Sequence, residues 1–180
     1  MRESTAWRIQ AKSDVDAAYK LASDLTRPSA YCQVAAKAQQ AVEKSVKALQ
    51  AALYHAGLYG SAVGSAHQVL RVASAIRAGA PTWPRAVKGQ RDRVMSILSD
   101  GRLKIIKELD SLVPQYPALG ALPRRNTEYP FQEQAGAYNW KAPAEEGSFS
   151  KKEIEVFLRG AGRLQNEIDK VVTALELAYP

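Results

Sequence analysis

The sequence has little cysteine and little histidine. Cys32 is its single cysteine, and the only histidines are His55 and His67. A lone cysteine cannot form a disulfide within the chain, and two histidines twelve residues apart lack the ligand spacing of a metal site. The sequence therefore predicts no metal and no intrachain disulfide. The thiol is typical of a small buried apolar residue in a reducing compartment.

The sequence also lacks the motifs of several large protein classes. It has no glycine-rich phosphate loop and no nucleophile elbow, so we expect no cofactor and no catalytic residue of those kinds. Its most apolar window, residues 51–66, is interrupted by His55 and three glycines, and its first residues have no apolar signal-peptide core. We therefore expect a cytoplasmic protein that does not enter the membrane.

The residues that are present favour helix. Apolar residues make up 46% of the 180 positions, with much alanine and leucine and little threonine or phenylalanine. We predict a single all-α domain, 1–180, built as an up-and-down four-helix bundle with an additional short helix and a long irregular loop. The predicted helices are 7–25, 29–56, 62–78, 84–113 and 150–178, and the loop is 114–149. Ser29 and Gly57 are the predicted caps of the second helix, and Asp100-Gly101 leaves the continuity of the fourth open.

The last helix has the clearest pattern. Ser150 and Glu153 form a predicted capping box. Apolar residues then recur at alternating steps of three and four, which is the seam of a helix packed in a bundle. Within it, residues 160–162 read Gly-Ala-Gly, and these small residues permit close approach of a neighbouring helix. The seam members are Ile154, Phe157, Ala161, Leu164, Ile168, Val171 and Leu175.

Positive charge is concentrated in the middle of the chain. Residues 71–107 carry nine basic and two acidic side chains, a net charge of +7 that equals that of the whole chain. Such a segment attracts phosphate-bearing ligands or an acidic protein surface. The alternative is an ordinary solvated helix face, and the pattern alone leaves both open.

The second helix combines an apolar stripe with a group of polar side chains. Residues 38–49 read AQQAVEKSVKAL, in which Glu43 and Lys47 lie four apart in the order that favours an ion pair. This wording, followed by Tyr54-His55-Ala56-Gly57, resembles the second helix of the HEPN family. Residues 64–71 (GSAHQVLR) resemble the short helix that follows it, and residues 124–131 (RRNTEYPF) resemble the segment before the family's last helix.

The resemblance implies a homodimer of helical bundles with a groove near the two-fold axis. Members of the family bind nucleotides or RNA, pair with a cognate nucleotidyltransferase in toxin–antitoxin or defence systems, or cleave RNA without a metal. We expect the second and last helices to pack antiparallel, with the arginines of the third landmark at the mouth of a cleft. The candidate phosphate- or nucleotide-binding residues are Arg124, Arg125, Asn126, Tyr129, Glu43 and Lys47.

The ribonuclease branch of the family requires a histidine four to six positions after the motif arginine. Arg125-Asn126 begins such a motif, but no histidine follows His67 in this sequence. Arginine stays protonated at neutral pH and cannot move the proton that 2′-OH attack requires. The leading hypothesis is therefore a non-catalytic binding domain. A ribonuclease with a degenerate motif and a purely structural assembly module are the alternatives.

Overall fold

The computed structural model of the chain describes residues 1–23, 28–64, 68–112, 127, 131–132, 140–142 and 149–180. This part of the chain is a bundle of α-helices, as the sequence predicts. A 3-10 turn at Ala80–Thr82 and another at Arg85–Val87 surround the buried Trp83. The only strands in these ranges are the two-residue β1 (Phe131–Gln132) and β2 (Trp140–Lys141), paired antiparallel within the segment predicted as a loop. The helices are α1 (Glu3–Ala22), α2 (Pro28–His55), α3 (Val69–Gly79), α4 (Lys88–Ile97), α5 (Asp100–Asp110) and α6 (Lys151–Ala178).

The predicted end of α2 is confirmed in detail. Gly57 has a φ of +69°, the left-handed conformation that favours glycine. Its amide donates to the carbonyl of Tyr54, and the amide of Leu58 donates to that of Leu53, which is the Schellman arrangement. At the other end Pro28 takes the first helical position, which suits its fixed φ, so Ser29 lies inside the helix and is not its N-cap.

Contacts along α1 give the directions of the long helices. Trp7 lies against Lys47 and Asp14 against Lys37, so α1 and α2 run antiparallel. Ser4 bonds to Glu176 near the end of α6, whereas Tyr19 reaches the backbone at Gly162, so α1 and α6 also run antiparallel. Consequently α2 and α6 run in the same direction. The prediction that they pack against each other is confirmed, but the prediction that they are antiparallel is wrong.

A polar clasp joins the start of α1 to the end of α6. The hydroxyl of Thr5 and the guanidinium of Arg8 donate to the carboxylate of Glu176 at 2.9 and 3.1 Å, respectively. Arg8 also pairs with Asp169 at 2.9 Å, and Arg2 donates to the carbonyl of Glu176. These bonds cover the last turn of α6, whose carbonyls have no partners within the helix.

The apolar seam predicted for α6 is the face that the helix buries. All seven predicted seam residues are buried, and Ser150 and Glu153 form the capping box. The two glycines act as predicted. A Cβ on Gly160 would lie 2.9 Å from Ile105 of α5, and one on Gly162 would lie 2.9 Å from the hydroxyl of Tyr19. The bundle therefore closes tightly around the middle of α6.

Three predicted helices have different bounds in the structure. The first is Glu3–Ala22 instead of 7–25. The third begins at Val69 instead of 62, and the Gln50 side chain donates to the carbonyls of Ser61 and Ala62 at the predicted start. The fourth is divided, with α4 and α5 separated by Leu98 and Ser99. Ser99 has extended backbone, and the break lets Leu98 enter the core completely.

Candidate functional site

Glu43 and Lys47, two of the predicted ligand-binding residues, form an ion pair on α2. The lysine Nζ lies 2.8 Å from the glutamate Oε1, and the side chains are only 12% and 8% exposed. These residues therefore do not belong to a solvated helix face. Helix α1 packs along α2, and Lys44, the third charged residue of the stretch, bonds to the buried Asp14 of α1.

Further contacts fix this ion pair in place. The second oxygen of Glu43 accepts a hydrogen bond from Gln39 Nε2 at 3.2 Å. The ammonium group of Lys47 lies 5.0 Å from the centroid of the Trp7 ring, where the aromatic face attracts a cation. The positive charge of Lys47 is thus balanced locally. Any ligand at this site meets a neutral, preorganised group of side chains and not a free cation.

A cavity of about 160 Å³ opens beside the ion pair. It is smaller than the ~300–1,000 Å³ pockets that enclose whole drug-sized ligands. It therefore suits part of a ligand, such as one planar ring. Its described lining consists of Glu43, Val46, Lys47 and Gln50 from α2, together with Gly64, Gln68, Val69 and Val72.

The other predicted ligand-binding residues, Arg124, Arg125, Asn126 and Tyr129, lie outside the described residues, as does His67. Thr127, which follows Asn126 in the chain, is described and buried. Its amide donates to the carbonyl of Leu112, and the Cys32 thiol donates to its carbonyl at 3.7 Å. Cys32 precedes Glu43 by eleven residues of α2, about 16 Å along the helix axis. Contact between the arginines and the Glu43–Lys47 pair stays a prediction.

Cys32 is buried, as predicted. Burial raises the pKa of its thiol, which disfavours the reactive thiolate. Within the described ranges no group of three or more histidine, cysteine, aspartate or glutamate side chains is placed to hold a metal ion. Cys32 therefore acts as a packing residue of the bundle.

The basic segment 71–107 divides into paired and unpaired side chains. Four cations pair with acids: Arg77 with Asp100, Lys88 and Arg91 with Asp92, and Arg102 with Glu167. Hydrogen bonds from Lys88 and Arg77 lower the pKa values of Asp92 and Asp100, so these carboxylates stay ionised. The other five side chains are exposed and have no ion-pair partner among the described residues. This unpaired basic set consists of Arg71, Arg85, Arg93, Lys104 and Lys107.

A groove between α5 and α6 was not predicted from the sequence. It comprises two cavities of about 260 and 430 Å³ that share Val156 in their lining. We call it the α5–α6 groove. The first cavity is lined by Arg102, Ile105, Val156, Arg159, Gly160, Arg163 and Leu164. The second is lined by Glu108, Ser111, Leu112, Lys152, Glu153, Val156 and Phe157. The only sequence signal is the four-residue spacing of Arg159 and Arg163 outside the α6 seam.

Arg102 is held on the wall of this groove by Glu167. Its two terminal nitrogens donate to both carboxylate oxygens, one of them at 2.8 Å. The hydrogen bond from Arg102 lowers the pKa of Glu167 below its ordinary value of 4.5, with smaller contributions from the charges of Arg102, Lys170 and Arg163. The fork-to-fork geometry fixes the orientation of the guanidinium.

The Glu167 shift predicts a pH-dependent contribution to stability. Because the folded pKa is lower than the unfolded one, the contribution is complete above the unfolded value of about 4.5 and is lost as pH falls through the folded value. The difference in unfolding free energy between wild type and Glu167→Gln should thus be constant from pH 7 to 5.5 and shrink below pH 4.5. Urea titrations at each pH measure it. Glu155→Gln, an exposed position of α6, is the control, and equal pH dependence of the two variants would contradict the prediction.

No family model, no curated protein and no solved structure matches this sequence. No helix in the described ranges combines the length and the apolar character that a membrane crossing needs. Without a match, the chain is characterised by its own fold and site alone. It is an all-α bundle with a buried polar group between α1 and α2 and a surplus of unpaired cations on α3, α4, α5 and the turn before α4.

Proposed function

We propose that this chain is a non-catalytic, HEPN-like binding module that acts as a homodimer and binds a phosphate-bearing ligand, either a nucleotide or RNA. The observation that carries the proposal is the unpaired basic set. Five exposed cations that have no ion-pair partner among the described residues give a positive potential that attracts phosphates.

The Glu43–Lys47 pair supports the same proposal. The family resemblance makes these residues candidates for lining the ligand groove, and they border a cavity with the volume of a ring-sized group. A glutamate and a glutamine beside such a cavity offer the acceptors and donors that a nucleobase edge uses. The proposal assigns phosphate attraction to the unpaired basic set and orientation of the ligand to this polar site.

Binding to a labelled single-stranded RNA of twelve nucleotides tests the proposal. We expect Lys104→Gln/Lys107→Gln to weaken binding about tenfold at 50 mM salt and to reduce the salt slope by about 1.4, because each lost phosphate contact removes about 0.7 from the slope. Fluorescence anisotropy at 50, 100 and 200 mM salt gives both quantities. Glutamine and lysine have similar helix propensities, so the variant should fold like the wild type.

The control is Lys12→Gln/Lys20→Gln. It removes the same charge from α1, which packs on α2 and α6, away from the unpaired basic set. Equal losses for the two double variants would show non-directional attraction, and the assignment to α5 would fail. Absence of binding by RNA, ATP and GTP at 50 mM salt would refute the phosphate-binding proposal. A monomer in sedimentation equilibrium would refute the homodimer.

The same samples test the ribonuclease alternative. We expect the RNA to stay intact in the presence of a chelator, because no histidine follows Arg125 in the sequence. Cleavage that disappears in Arg125→Ala would replace the non-catalytic proposal with the ribonuclease alternative.

A further inference from the structure

The α5–α6 groove has an apolar floor and a positively charged end. Val156 is 38% exposed and, with the half-buried Ile105, forms the floor at its middle. Arg159 and Arg163 lie on exposed positions one helical turn apart, and neither has an ion-pair partner in the described part of the chain. The groove therefore presents both an apolar strip and two exposed guanidinium groups to solvent.

The groove has the length of a short helix. Its lining runs from Lys152 to Leu164 of α6, and twelve residues of helix extend about 18 Å. Val156 lines both cavities, so they adjoin at this residue. Gly160 adds no side chain to this wall of the groove, and any side chain there would contact Ile105. About three turns of a partner helix cover such a distance, and helices commonly bind in apolar grooves of this kind.

Charge varies along the groove. One end carries Arg102, which pairs with Glu167, together with Arg159 and Arg163, which have no ion-pair partner among the described residues. The other end carries the carboxylates of Glu108 and Glu153 and one ammonium group, that of Lys152. A nucleic-acid backbone lying along the groove would bring phosphates against those two carboxylates and would leave the apolar floor without an apolar partner. A helix with acidic residues at one end only avoids both problems.

We infer that the α5–α6 groove docks an amphipathic helix of a partner protein, with apolar side chains over Val156 and Ile105 and acidic side chains against Arg159 and Arg163. The residues to which phosphate binding was assigned, Arg71, Arg85, Arg93, Lys104 and Lys107, do not line this groove. The acidic end of the partner helix sets its orientation in the groove, and its apolar face contributes most of the buried area.

Synthetic helices test the inference on the full chain. The probe is a fluorescein-labelled 18-residue helix with leucines at three- and four-residue spacing and two glutamates four apart at one end. The comparison peptides have those glutamates replaced by lysines, or the leucines replaced by serines. We expect the first peptide to bind at least about tenfold more tightly than either comparison peptide at 100 mM salt.

Charge reversal tests the location of the site. Arg159→Glu/Arg163→Glu should bind the lysine peptide in preference to the glutamate peptide. The control, Lys12→Glu/Lys20→Glu, reverses two cations of α1 that are outside the groove lining and should keep the wild-type preference. Circular dichroism of each variant verifies the helical fold.

Three results would overturn the inference. They are the absence of binding by all peptides, equal binding of the glutamate and lysine peptides, and an unchanged preference in Arg159→Glu/Arg163→Glu. Loss of RNA binding in that variant, without peptide binding to the wild type, would assign the groove to nucleic acid instead. Failure of RNA binding alone, with the peptide preference intact, would refute the proposed function and leave the groove inference supported.

Discussion

Asp14→Ala is expected to lower the free energy of unfolding by about 2–4 kcal/mol. The Asp14 carboxylate is 4% exposed and bonds to the ammonium groups of Lys37 and Lys44, with 3.1 Å to Lys37. Removing it leaves two cations without an anion at the α1–α2 interface. The lysines are 35% and 21% exposed, so part of the loss is relieved by water, and the effect is smaller than for a fully buried pair.

Urea unfolding followed by circular dichroism measures this effect, with Asp16→Ala as the control. Asp16 belongs to the same helix and pairs with Lys12, but both side chains are more than 60% exposed. Its removal should change the free energy of unfolding by less than about 0.5 kcal/mol. Similar losses in the two variants would mean that burial of Asp14 has no energetic role.

A double substitution separates charge from packing. Replacing a buried ion pair with apolar side chains of similar size is often neutral or stabilising. Asp14→Leu/Lys44→Met should therefore recover part of the stability that Asp14→Ala loses, since Lys37 can keep its bond to Gln40. A further loss in the double variant would attribute the effect to the shape of the interface.

Ile168→Ala is expected to destabilise the chain by about 3–4 kcal/mol. Ile168 is 1% exposed in the middle of the α6 seam, and its truncation leaves a cavity among close-packed neighbours. Leu177→Ala is the matched control, because Leu177 lies on the same helix and is 79% exposed. That variant should stay within about 0.5 kcal/mol of the wild type.

Chemical denaturation measures the free energy of unfolding of both variants, and the slope of each transition is compared with that of the wild type. An unchanged slope shows that the same surface is exposed on unfolding, so midpoints can be compared directly. Equal destabilisation by the two variants would place Leu177 in contact with a partner surface. Two small effects would contradict the packing of the α6 seam.

Elements set by local chemistry could be predicted from the sequence. Ser150 and Glu153 cap α6 through neighbours three residues apart, and Gly57 ends α2 through its own backbone freedom. The α6 seam needs only the helical period to show which side is buried. In each case the residues that decide the structure lie within one or two turns of one another, so a single sequence contains the information.

Features that depend on distant residues could not be predicted in this way. Asp14 belongs to no pattern, and its partners lie 23 and 30 residues away on another helix. The direction of α6 relative to α2 depends on the connection after α2. Leu70 bonds to Asp110 and Arg77 to Asp100, so α3 is antiparallel to α5. Arg102 bonds to Glu167 and Ile105 lies against Gly160, so α5 is antiparallel to α6, and α3 runs in the same direction as α2. Periodicity shows which side of a helix is buried but not these directions.

The candidate site could be predicted only in part, because the burial and pairing of its charged side chains depend on residues that are distant in the sequence. The i,i+4 order of Glu43 and Lys47 predicted their ion pair, but nothing in the local sequence showed that α1 covers it. In the same way, the sequence gives the total charge of segment 71–107. Which of its cations are paired depends on the three-dimensional positions of Asp100, Asp92 and Glu167. The paired cations contribute less to ligand attraction than their number suggests.

The clasp between α1 and α6 has a consequence for synthesis of the chain. Ser4 and Glu176 are separated by 172 positions, so this contact can form only after Glu176 has emerged from the ribosome. Until then the apolar faces that α6 covers are open to solvent, since α6 alone contributes nine buried residues. Nascent chains stalled before residue 150 should consequently associate with chaperones, and emergence of the 28-residue α6 should end that association.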